Sequence, residues 1–288
     1  MAQIHWFPGH MQKARREVAE RIKQVDIVFE VVDARVPESS RNPMLLSMLN
    51  QKPRIAILNK ADLADPNRTK QWLAAYEQAD QPALAIDAQH ANRLQQLAQM
   101  ATTQLADKIA RKKARGIKNP HIRAMCIGIP NVGKSTILNR LVHKNIAVTG
   151  NRPGVTKNQQ WLKAGDNLDL LDTPGILWPK FEDQEVGMRL ALSGAIADTV
   201  FNADDVALWG LTYFMQEYPA RLRKAYGLND ADMTLAPHDL MAYLTSKLGF
   251  GEEYDRMATR LINDVRKGEL GRYTLEVPTA EAEHADTE

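Results

Sequence analysis

A single cysteine, Cys126, among 288 residues leaves no partner for a disulfide within the chain and no thiolate set for a structural zinc. It sits in the apolar run Ala-Met-Cys-Ile-Gly-Ile at 124–129, where a buried packing thiol is expected. Nowhere do eighteen apolar residues run together, so no helical membrane span is expected. The opening residues, MAQIHWFPGHMQKARREV, hold no apolar core of the kind that directs secretion. A soluble cytoplasmic protein without a membrane partner is the expectation. Internal repeats are lacking as well.

Net charge is small, +2, but unevenly spread. Residues 107–123 carry seven Lys or Arg against one acid, Asp107, whereas 276–288 carry five acids and no Lys or Arg. The acidic end has little to bury and reads as a disordered tail. With 44% hydrophobic residues, the chain can bury one α/β core and keep roughly a hundred residues for a second domain. Apolar β-rich runs at 25–34, 54–59, 82–87 and 123–129, then a pair ending at Asp172, alternate with helical stretches. That alternation predicts a doubly wound, mostly parallel sheet covered on both faces. After Trp178 only helical periods remain, at about 183–199, 203–226, 237–248 and 253–268. The expected division is an α/β domain at 1–178 with a basic join at 107–123, a small all-α domain at 179–275, and the tail at 276–288. In the second domain Met188, Leu192 and Ile196, and likewise Leu208, Leu211 and Met215, recur at helical spacing and are read as core.

The string GIPNVGKST at 128–136 follows a strand and precedes a helix, the setting that a phosphate-binding loop needs. Backbone N–H groups of Asn131, Val132, Gly133, Lys134, Ser135 and Thr136 can cradle phosphates at a helix N-terminus, Lys134 can reach the β and γ oxygens, and Ser135 can hold Mg²⁺. Asp172-Thr173-Pro174-Gly175 ends another strand, and downstream of such a loop Asp172 suits Mg²⁺ while the Gly175 N–H suits the γ-phosphate. Thr156, in NRPGVTK between them, offers a hydroxyl to the same ion. Asn59-Lys60-Ala61-Asp62 suits guanine, because a carboxylate at Asp62 accepts from N1–H and the exocyclic amine, and adenine would leave it unpaired. Lys60 can lay its stem along the base while Asn59 ties the loop to 128–136. Taken alone, this tetrapeptide is also an ordinary polar turn before a helix. Asp87-Ala88-Gln89 is a weaker second guanine loop, with the Ala88 N–H directed to the base O6.

The guanine reader thus precedes the phosphate loop, the reverse of the usual order. A doubly wound sheet keeps its βα loops at one edge, so joining the old ends and cutting elsewhere leaves the site intact. The cut falls after Gly175, which runs the γ-phosphate sensor straight into the helical domain. The strings WFPGHM (6–11), VVDARVP (31–37), NKAD, GIPNVGKST, NRPGVTK, DTPGIL and GRYTLE (271–276) together resemble the circularly permuted GTPases that act in late assembly of the bacterial large ribosomal subunit. Relatives that act on the small subunit carry zinc-binding cysteines or an added β-barrel, patterns this chain lacks.

The resemblance implies GTP hydrolysis with Mg²⁺, binding to the large-subunit precursor and its rRNA in the GTP state, and release afterwards, from a protein monomeric off the ribosome. It implies K⁺ as well, held by Asn131. Ile176 occupies the place where many GTPases carry a water-orienting Gln, so slow intrinsic turnover and a catalytic group from elsewhere are expected. His10 is that candidate: a helix over 11–24, roughly 20 Å long, returns it to the nucleotide edge, and in the family this His is implicated in catalysis. A residue merely capping the helix is the other reading. Arg256, Arg260, Arg266, Lys267 and Arg272 with Tyr254 and Tyr273, and Lys13, Arg15, Arg16, Arg21 and Lys23, fit phosphate contacts and base stacking on RNA, or else solvated helix faces. A GTP-dependent binding module with negligible chemistry, and a tRNA or translation GTPase outside ribosome assembly, are the rival functions.

Overall fold

The apolar runs form six strands, β1 (Ile27–Asp33), β2 (Arg54–Asn59), β3 (Ala83–Ala85), β4 (Ile122–Ile127), β5 (Gln160–Ala164) and β6 (Leu168–Asp172). The computed structural model describes residues 9–49, 51–90, 93–142, 160–165, 167–179 and 181–278, without the side chains of Gly9, His10 and Gln160. Sheet order is β3-β2-β1-β4-β6-β5, parallel throughout except for β5, which runs antiparallel to β6. β1 is buried along its whole length, as a central parallel strand with both faces covered must be.

Successive residues of β1 serve opposite faces. On one, Val28, Met125, Ile127 and Leu171 cluster with Ala14 and Val18 of α1 (Gly9–Arg21) and Leu45 of α2 (Pro43–Leu46). Beside them Val32, Ala56 and Leu58 meet Trp72 and Tyr76 of α3 (Pro66–Gln78). On the other face, Phe29, Val31, Ile57 and Cys126 cluster with Leu94, Leu97 and Ala101 of α4 (Leu94–Gln104). The basic join continues as α5 (Ala106–Ala114), which has no buried residue and is anchored at Lys108 by a 2.6 Å ion pair to Asp26. α6 (Lys134–Val142) adds Ile137 and Leu138 to the second face.

The C-terminal helices are α7 (Gln184–Ser193), α8 (Ala203–Glu217), α9 (Pro219–Tyr226), α10 (Pro237–Lys247) and α11 (Tyr254–Lys267). Two expected helices are shorter than their periods. Gly194, at φ +83°, ends α7 in the left-handed conformation that glycine adopts without steric cost, and Pro219 starts a new helix where its missing N–H does no harm. The buried stripe of α8 runs through Val206, Ala207, Leu211 and Phe214, so Leu208 and Met215 are only half-buried, while Met188, Leu192 and Ile196 are core as read.

After α11 the chain doubles back as a strap between the sheet's loops and the C-terminal helices. The Tyr273 N–H donates to the Leu63 carbonyl at 3.0 Å and the Leu275 N–H to the Arg35 carbonyl at 2.7 Å. Tyr213 and Tyr218 hydroxyls each donate to the Thr274 carbonyl at 3.1 Å. Glu276, assigned to the tail from composition, is instead buried: its carboxylate accepts the Glu38 N–H at 2.7 Å, the Ser39 N–H at 3.0 Å and the Ser39 hydroxyl. Converging donors make burial of that one acid tolerable. Tail residues 279–288 lie outside the described residues. Tyr273 is fully buried and Arg266 donates to the Ala191 carbonyl at 2.7 Å, so neither is an exposed RNA contact.

Candidate nucleotide site

The strand ends bring the expected loops to one edge, about the β1–β4 boundary where the strand order reverses direction, the place where doubly wound sheets bind ligands. β4 leads into the 128–134 loop, β2 into Asn59–Asp62, β3 towards Asp87 and Ala88, and β6 into Asp172–Gly175. Asn59 joins three of the loop segments. Its Nδ2 donates to the Val132 carbonyl at 2.7 Å, and its Oδ1 accepts the Ala88 N–H at 3.2 Å. The first bond ties the Asn59–Asp62 turn to the 128–134 loop. The second differs from expectation: the Ala88 N–H is directed to Asn59 rather than into the base site.

Two glycines are fixed by close approach. A Cβ on Gly133 would lie 2.2 Å from Asn59 Nδ2, and one on Gly175 would lie 2.7 Å from the Pro130 backbone. The 128–134 loop is therefore packed against both the Asn59–Asp62 turn and the Asp172–Gly175 loop.

Lys134 opens α6 and is buried, with Nζ donating to the Gly128 carbonyl at 3.1 Å and the Ile129 carbonyl at 2.8 Å. Burial pushes its pKa down to about 8 against the pull of the Asp172 charge. Asp172 is fully buried, and neither carboxylate oxygen has a hydrogen-bond partner among the described residues. Burial raises its pKa to about 6, with Lys134 opposing. An orphaned buried carboxylate beside the first turn of α6, where Ser135 stands, is a donor set of the hard-oxygen kind that Mg²⁺ prefers, so the residues fit the ion. Thr156 lies outside the described residues.

Asn131 adopts φ +61°, and its Nδ2 donates to the Gly194 carbonyl at the end of α7, at 2.9 Å. Ile176 is fully buried with its carbonyl accepting from Asn42 Nδ2 at 2.6 Å, so this side chain belongs to the core beneath α1 and α2. The backbone of His10 lies in the first turn of α1; its side chain is outside the described residues. Met11, next to it, is fully buried.

Sequence reasoning missed several residues here. His90 Nδ1 lies 2.5 Å from Asp87 Oδ2, and Asp62, Asp87 and His90 bring one ligand atom each within 4.8 Å of one another. Asp33, Arg35 and Tyr273 form a buried cluster beside Lys60. Asp33 and Arg35 stood within the quoted string VVDARVP, but nothing local pointed to a partner 238 residues away.

Strand order and loop contacts define a P-loop nucleotide-binding protein whose motifs run in circularly permuted order. A family described as 50S ribosome-binding GTPase matches residues 123–236, from β4 onward, leaving outside it the Asn59–Asp62 turn, which here precedes β4. Ribosome biogenesis GTPase A of Bacillus pumilus is 50% identical over 280 residues, covering 96% of this chain and 99% of the relative. YlqF of T. maritima shares the fold in its GDP-bound form, with a TM-score of 0.66 at 22% identity over 91% of this chain and 99% of that one. Its GNP-bound form gives a TM-score of 0.63 at 22% identity over 92% and 98%. The chain belongs to the ribosome biogenesis GTPase A family: it is a circularly permuted GTPase of ribosome assembly. No helix among the described residues is long and apolar enough to cross a membrane.

Proposed function

We propose that the protein binds GTP at the edge loops, docks on the large ribosomal subunit precursor late in its maturation, and leaves after hydrolysis. The observation that carries the reading is the Asn59–Val132 bond, which makes one site of two motifs in reversed chain order. Asp62 reads the base, the 131–136 backbone and Lys134 hold the phosphates, and Gly175 senses the γ-phosphate. Ser135, Asp172 and Thr156 would hold Mg²⁺, which offsets phosphate charge when bound. Asn131 takes part in a K⁺ site.

With Ile176 buried, the water-orienting group has to come from elsewhere, and His10 is assigned that role. α1 feeds β1 through a short turn, so its N-terminal end points back towards the nucleotide edge. Exposed Lys13, Arg15 and Arg16 on α1 and Arg256, Lys267, Arg272 and Tyr254 near α11 form the rRNA contacts. The protein works in the cytoplasm as a monomer between ribosomal encounters.

The deciding experiment is steady-state GTP turnover in K⁺ buffer, alone and with purified large or small subunits. Stimulation by the large subunit alone supports the reading. Stimulation by neither overturns its ribosomal half, and stimulation by the small subunit overturns the large-subunit assignment.

A further inference from the structure

Asp33 ends β1 with a buried carboxylate that four donors saturate. Oδ1 accepts the Arg35 N–H at 3.0 Å and Arg35 Nε at 2.9 Å; Oδ2 accepts from Arg35 Nη2 at 2.7 Å and Lys60 Nζ at 2.8 Å. Arg35 is itself buried and spends its other N–H groups on the helical domain, donating to the Tyr273 hydroxyl at 3.0 Å and the Ser193 carbonyl at 2.8 Å. Burial alone would push the Asp33 carboxyl up, but the Arg35 and Lys60 charges overcome it and hold the carboxyl well below its usual range. Asp33 is thus held as an anion, and its charge opposes the burial that pushes the Lys60 ammonium down.

Lys60 is held at both ends. Its backbone sits at φ +62°, a conformation that a residue with a side chain adopts only when its surroundings impose it. Its ammonium is fixed by Asp33, so the four-carbon stem between them has few rotamers left. A lysine stem laid along a purine must be ordered when the base arrives, and ordering it beforehand removes that entropic cost from binding.

We infer that Asp33 is a positioning residue for guanine-nucleotide binding: it fixes Lys60 as a wall for the base, and Arg35 with Tyr273 fixes Asp33 from the helical domain. Nucleotide retention then depends on the strap at 271–276, through the Tyr273 hydroxyl that Arg35 holds. The inference rests on the reading of Lys60 as a base-contacting residue.

The test is dissociation of a fluorescent GDP analogue from the full-length protein and its Asp33→Asn, Lys60→Met and doubly substituted forms, with melting temperatures taken in parallel. Loss of one charge-assisted contact should speed dissociation on the order of tenfold in Asp33→Asn. KM for GTP should rise more than kcat falls. Lys60→Met should match it, and the double variant should dissociate no faster than either, because both changes remove one shared interaction. Tyr273→Phe, which deletes a single hydroxyl, should act in the same direction and less strongly.

A merely structural Asp33 would lower the melting temperature while dissociation stayed at the wild-type rate. That outcome, with Lys60→Met dissociating quickly, overturns the positioning role and leaves the site reading intact. Wild-type dissociation in Lys60→Met, which keeps the stem and loses the ammonium, overturns the inference, and wild-type dissociation in Lys60→Ala removes the base-contact reading as well. Should Asp33→Asn fail to fold, wild-type dissociation in Tyr273→Phe overturns the link to the helical domain.

Discussion

Asn131, on the phosphate loop, and Gly194, which ends the first helix of the C-terminal domain, are joined by a 2.9 Å hydrogen bond from Nδ2 to the carbonyl. A K⁺ ion would need Oδ1, the other end of the same amide, so ion binding and the end of α7 share one side chain. In Asn131→Ala, turnover should become equal in K⁺ and Na⁺, and amide exchange across 184–200 should quicken. Persistent K⁺ stimulation would remove Asn131 from the ion site, and unchanged exchange would remove it from the link to α7.

Asp62 stands half-buried at the exit of β2, beside the bond that holds Asn59 to the phosphate loop. Asp62→Asn reverses the hydrogen-bonding sense at the base edge, so preference should move from guanine towards xanthine nucleotides by roughly 10²–10⁴-fold. Competition of GDP and XDP for the labelled protein measures it. Retained guanine preference would mean that another group reads the base.

The buried Met11 packs down the start of α1, which keeps His10 on a fixed element. His10→Ala should bind GTP normally and lose subunit-stimulated turnover on the order of 10²–10⁴-fold, the range for a proton-transfer or water-orienting group. Full stimulated turnover in this variant would end the catalytic assignment.

Glu276 gives the strap a pH dependence. Burial pushes its carboxyl from 4.5 up to about 7, against the Ser39 and Glu38 donors and Arg189. Below pH 4.5 both folded and unfolded chains hold the proton; between 4.5 and about 7 only the folded chain does, so stability falls as pH rises through that window and then levels. The loss is at most roughly 3 kcal/mol. Denaturant melts at pH 5 and pH 8 should show this slope in the wild type and a flatter one in Glu276→Gln. Equal slopes would show that Glu276 titrates normally.

The sheet and its loops were legible because their signals are local. A run such as Ile27–Asp33 is apolar throughout because a central parallel strand is buried on both faces, and the phosphate loop is spelled by contiguous residues whose backbone binds the ligand. Helix lengths were less legible. The period across 203–226 continues through Pro219, and only the Tyr218 backbone shows two helices where the pattern suggested one. Composition misplaced Glu276 because it counts acids without seeing the donors from Ser39 and Glu38 that surround this one.

By itself the sequence determined the motif set, the reversed order of guanine reader and phosphate loop, and hence the kind of reaction, since each motif acts through neighbours in the chain. Tertiary structure alone decided how the halves are joined: Asn131 to Gly194, Asp33 through Arg35 to Tyr273, and the strap against Leu63 and Arg35. Such contacts leave no periodicity and no spacing to read. They exist only because folding brings side chains from distant segments into one buried space, where each polar group must find a partner or be destabilised.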